Sequence, residues 1–228
     1  VIGQLIEALQ SGEYDLNNTS VIITQTGGGC RATNYIGLIR KALKDAGLEN
    51  IPIISLNMSG LEGEQAFHWT PSILNKVIQA VVYGDLLMKL TLATRPYEKT
   101  TGTAEKLYEK WQKKCLKSLT NGKHKEFKNN CKKIIDDYNN VSITKKTLPK
   151  VGIVGEILIK YHTFGNDNLV GKLEQEGAEV FVPELMGFVK YCAYNNIIRE
   201  RLLKKGKKVS VGSKVVLHII DYYEFNHT

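Results

Sequence analysis

Cysteine and proline are scarce in this chain of 228 residues, at four and five copies. The cysteines, Cys30, Cys115, Cys131 and Cys192, include no C-x-x-C pair. Thiols so few and so scattered exclude a secreted disulfide framework and point to a reducing cytoplasm. No apolar run approaches the roughly 20 residues of a membrane helix, so no membrane partner is expected. The P-loop pattern G-x-x-x-x-G-K-[ST] is also missing, so the chain itself is not expected to bind ATP. The opening residues, "VIGQLIEALQSGEYD", have the spacing of an amphipathic helix and not of a signal peptide. With no initiator Met, the chain reads as an internal piece of something longer.

What is present is an ordinary globular composition, 43% hydrophobic and 24% charged. The length allows one large domain or two smaller α/β ones. Formal charge is +8, but it is unevenly spread. Lys99 to Lys150 holds 14 Lys against 5 Asp and Glu, an excess of 9 that exceeds the net charge of the whole chain. The segment lacks interleaved aromatics and any nucleic-acid motif, so a solvated basic face is expected and no nucleic acid. A docking surface for an acidic redox partner is a third reading.

Apolar periodicity predicts a mixed α/β chain. Residues 1 to 11 read as a helix with Ile2, Leu5, Ile6 and Leu9 on one face. "SVIIT" is a buried-type strand, Asn34 to Ala46 a helix stopped by Gly47, and "IPIISLN" the next strand. Strand, glycine turn, helix and strand make a βαβ unit with a parallel sheet. Ile73 to Thr94 is a long apolar helix broken by Arg95-Pro96, and Ala104 to Tyr138 holds two Lys-rich helices divided near "TNGKHKE". After the linker "ITKKTLPK" the grammar restarts: "KVGIVGEILI" as strand and turn, "NDNLVGKLEQEG" as helix, "AEVFVPE" as strand. The expected organisation is two Rossmann-like units with parallel sheets, residues 1–95 and 149–228, the second ending in C-terminal helices. A Lys-rich helical insertion, 96–148, separates them.

The stretch with most chemistry in it is "TQTGGGCRATNYIGLIRKALKDAG". A glycine turn after a parallel strand lies where open α/β sheets bind ligands. "GGGCRA" fits a loose dinucleotide fingerprint, but the second strand ends in "SLNMSG" with no carboxylate for a ribose before Glu62. Cys30 at a helix N-terminus beside Arg31 has the setting of an activated thiol, yet no histidine (68, 124, 162, 218 or 227) pairs with it recognisably. A third option is an iron–sulfur site, where thiolates hold the metal and bare glycine N–H groups donate to sulfides. A tight turn with a buried cysteine is the fourth.

Taken with "PIISLN", this stretch resembles a characteristic segment of the 2-hydroxyglutaryl-CoA dehydratase component D family, in the form carried by large CoA-substrate-specific enzyme activase proteins. "VGIVGEILIKYHTFGNDNLVGKLEQEGAEVFVPEL", closing with "FVKYC", resembles the second signature of that family. The likeness runs in order from residue 1 to about residue 205. It implies an oxygen-sensitive protein of anaerobes with Rossmann-like domains and an iron–sulfur cluster, 4Fe-4S or double cubane. An ATP-hydrolysing activase domain or subunit would deliver an electron for dehydration or reduction of an acyl-CoA substrate. By residue matching, Cys30 and Cys192 fall where metal ligands are expected, and no catalytic residue is assigned. Gly27, Gly28 and Gly29 would face the cluster sulfides, Arg31 would balance its charge, and Glu156 would line the site. Two thiolates rarely hold a cubane, so the remaining ligands must come from outside the chain, which alone is expected to lack the cluster and to be inactive.

Several residues carry a plain reading beside the functional one. Glu156 could cap a loop, and Tyr161, His162 and Asn166 of "YHTFGNDN" could shape a pocket or simply a turn. Cys115 and Cys131 are expected to be packing residues. Two other functions stand beside the iron–sulfur one: a non-redox binding module for an anionic or CoA-like ligand, and a docking domain for the ATPase part.

Overall fold

The computed structural model describes residues 1–24, 31–56, 70–204 and 206–224. The chain is mostly helical and mixes α and β, with two small parallel two-stranded sheets. It divides into two units, Val1–Thr70 and Pro71–Thr228. The boundary thus falls at Thr70, whereas the sequence reading drew its first one at residue 95.

The first unit is built from α1 (Ile2–Gln10), β1 (Val21–Thr24), α2 (Tyr35–Asp45) and β2 (Ile53–Leu56). β1 and β2 pair in parallel, Val21 opposite Ile53 and Thr24 opposite Leu56. Leu9, Val21, Ile39, Leu43 and Ile51 form its core, with Ile2, Leu5 and Ile6 of α1 packed on it. That is the apolar face the helical spacing of "IGQLIEALQ" presents. Gly47, at φ +69°, ends α2: its N–H and that of Leu48 return to the carbonyls of Lys44 and Leu43. Only glycine takes this left-handed position without strain.

The second unit holds α3 (Pro71–Thr94), α4 (Thr103–Asn121), α5 (His124–Asn139), β3 (Lys150–Gly152), α6 (Ile157–Tyr161), α7 (Leu169–Gln175), β4 (Glu179–Phe181), α8 (Leu185–Leu203) and α9 (Lys207–Tyr223). α3 is its axis and packs against α4, α5, β4, α8 and α9. On one side lies a core of Tyr83, Leu87, Trp111, Cys115, Phe127, Cys131, Ile134 and Tyr138. On the other, Leu92 joins Ile153, Val180 and Val182 of the second parallel pair, in which Lys150 faces Glu179. The Lys-rich helices are amphipathic: their apolar faces make the first core, and their lysines lie outside.

Two boundaries differ from expectation. "KVGIVGEILI" is strand only to Gly152, because "ILIKY" curls into α6. Pro71–Tyr97 is long and apolar enough to cross a membrane by length and composition, although no such run was expected. It carries Lys76, Asp85 and Lys89, and these three side chains find partners inside the unit.

Candidate functional site at the strand ends

Both family-like motifs follow the first strand of a parallel pair. β1 runs directly into the glycine-cysteine stretch, and a short 3-10 turn, Arg31–Asn34, leads out of it into α2. Gly27, Gly28, Gly29 and Cys30 lie outside the described residues, as does His68, and Arg31 is described only through its backbone. A groove of about 860 Å³ beside α1 and α2, lined by Ile2, Ile6, Glu7, Gln10, Ala42 and Asp45, contains none of the expected site residues.

The second strand end is described, apart from the Leu158 side chain. β3 passes through Ile153, whose N–H donates to the Phe181 carbonyl at 2.9 Å, to Gly155 at φ +137°. A side chain is strained at that angle, so glycine is required for the turn. Glu156 follows. Its carboxylate accepts from the Ile159 N–H at 3.3 Å and so caps α6, the loop-capping role weighed for it above. The Tyr161 hydroxyl donates to the Pro183 carbonyl and ties α6 to the segment after β4. His162 accepts the Gly165 N–H on Nδ1 at 2.8 Å. Asn166 donates to the Ile159 carbonyl at 2.8 Å and accepts from the Leu169 N–H at 3.2 Å, ending one helix and starting the next. All four residues hold the loop in shape.

The segment after β4 is secured from α3. Asp85 accepts from the N–H groups of Leu185 and Met186, at 2.9 and 2.8 Å, and Lys89 pairs with Glu184 at 2.7 Å. Burial pushes the Asp85 carboxyl above its usual range, and the two N–H donors only partly offset it. Burial also works against the charge of Glu184, but its hydrogen bond to the Lys89 ammonium prevails and holds that carboxyl low. Tyr161 is raised by burial, with the charges of Asp85 and Glu184 adding to it. Sequence reading missed Asp85. The signal was there: it is the lone carboxylate in an apolar helix, and a buried carboxylate needs a partner.

Cys192 lies in α8, exposed and free, with its pKa raised by partial burial. It is therefore a neutral thiol at pH 7, without the activation of a nucleophile. Cys115 and Cys131 are buried, and burial pushes both thiols up to about 12. They pack the core, as expected. Among the described residues, no three His, Cys, Asp or Glu side chains converge as a metal site. A cubane held by thiolates does not fit this set, since Cys192 is the one exposed thiol among the described residues.

No family model, curated protein or solved structure matches the chain.

Proposed function

We propose that the chain is the dehydratase-component-D-like portion of a larger cytoplasmic iron–sulfur protein of the 2-hydroxyacyl-CoA dehydratase and activase type. In this reading residues 1–95 and 149–228 are each Rossmann-like, and the helical section 96–148 is an insertion. One observation carries it: "GGGCR" follows β1 and "GEI" follows β3, each at the end of the first strand of a parallel pair. Ligands of open α/β sheets bind at such strand ends.

This chain contributes Cys30 and Cys192 as ligands, with Gly27, Gly28 and Gly29 as donors and Arg31 as a countercharge. The remaining thiolates come from elsewhere in the protein or from a partner subunit. Glu156, Tyr161, His162 and Asn166 keep the second loop rigid, which is the work their hydrogen bonds support. The partner is an ATP-hydrolysing activase, and the substrate an acyl-CoA. Anaerobic reconstitution with iron and sulfide tests this reading. Bound iron with broad visible absorbance is expected from the complete protein and not from this chain alone.

Cys192, the one exposed thiol among the described residues and not activated, also favours a second reading, a binding module for a CoA-like anion. In that case CoA raises the melting temperature of the iron-free chain. No shift with CoA, together with a cluster in the complete protein, eliminates it.

A further inference from the structure

α8 has two apolar sides. Met186 and Ala193 are buried, on the side that packs against α9 and α3. At 100° per residue, Phe188, Tyr191, Tyr194, Ile198 and Leu202 fall within about one third of the circumference on the opposite side. These five are between 36% and 73% exposed. An apolar helix face is normally buried against a neighbour, and this one is bare. The stripe has the i, i+3, i+4 rhythm that lets one helix pack on another.

The stripe is also directional. Its N-terminal half is aromatic and without free cations, since Lys190 is paired with Asp221 and Glu224. Its C-terminal half is aliphatic and flanked by the exposed Arg199 and Arg201. A copy placed in parallel would set arginine beside arginine. A copy placed antiparallel about Asn195 sets Arg199 over Tyr191 and Leu202 against Phe188, an exchange of cation for aromatic face at both ends. We infer that α8 is the contact of a two-fold symmetric, antiparallel homodimer of this chain. The stripe and its flanks supply ~500 Å² per copy, so the pair buries roughly 1,000 Å², the lower limit for a specific interface. An interface at that limit is expected to be weak, with Kd about micromolar.

The inference does not depend on a cluster. Its test is sedimentation equilibrium of the full chain across the micromolar range. A concentration-dependent dimer is expected, weakened at least tenfold by Tyr191→Glu or Leu202→Glu and unchanged by Val215→Glu, an exposed site on α9. A monomer at every concentration overturns it, whatever else covers the stripe. So does a dimer that Val215→Glu dissociates and Tyr191→Glu does not. Orientation is read in a Cys192→Ser background by mixing Phe188→Cys with Leu202→Cys and oxidising. Mixed disulfides between the two variants support the antiparallel pair, and same-variant disulfides overturn it.

Discussion

The Asp85 carboxylate on α3 accepts the Leu185 N–H at 2.9 Å, so the start of α8 is capped by a residue 100 positions earlier in the chain. The first N–H groups of a helix have no partner within it, and here the cap comes from another helix. Glu184, the residue at the cap position, supplies no side-chain cap of its own.

Asp85→Ala therefore costs about 0.5–2 kcal/mol, the usual loss for a removed cap, read by urea denaturation. Asp85→Asn costs less, because an amide oxygen still accepts and burial no longer opposes a charge. Lys89→Ala, which removes a pair whose lysine is largely exposed, costs about 0.5–1 kcal/mol.

Gly122 closes α4 at φ +61°, and its carbonyl accepts from Asn75 and Gln79 at 2.8 and 3.2 Å. A Cβ there would meet the Lys76 side chain at 3.2 Å. Gly122→Ala is expected to lower stability by about 1–2 kcal/mol through left-handed backbone strain, with the chain still folded by circular dichroism.

His124 stacks on Tyr222 at 4.5 Å between ring centres, with Phe127 and Tyr223 around it. Both ring nitrogens are shut from water without a partner. Burial first, and the Lys128 charge second, lower its pKa from 6.5. The unfolded chain therefore binds the proton more readily. The stability this group contributes is present above the unfolded pKa and is lost as pH falls through it to the folded value. His124→Phe keeps the stacking and should flatten stability against pH below about 6.5. An unchanged slope would show that another group sets it.

Thiol mapping separates the cysteines. Cys115 and Cys131, pushed up to about 12 in a closed core, are expected to resist iodoacetamide at mildly alkaline pH until the chain is unfolded. Cys192, exposed, labels in the native state. Native labelling of Cys131 would show that the α4 and α5 core opens.

Much of the fold was legible because it is local. "VIIT" and "IISL" are β-branched and short, Gly47 stops α2, and the apolar spacing of α4 and α5 gives their buried faces directly. What depended on distant partners was not. The allegiance of α3 is set by packing against α4, α5, α8 and α9, and no residue within α3 states it. The second loop was located from "VGEIL" and "YHTFGN", but its polar residues were ambiguous until their acceptors were known. Asn166 reads the same in a pocket as in a loop, and the Ile159 carbonyl and Leu169 N–H decide for the loop. Asp85 could have been suspected from its apolar surroundings, though not assigned to α8.

The central claim is that Cys30 and Cys192 are thiolate ligands. The most direct measurement is iron and sulfide content of the complete protein after anaerobic reconstitution, beside Cys30→Ala and Cys192→Ala, with Cys115→Ala as a buried control. The account predicts that both ligand variants lose the cluster absorbance and most of the iron while Cys115→Ala retains them. Equal iron in all four proteins would contradict it and leave the strand-end loops as a site for an organic anion.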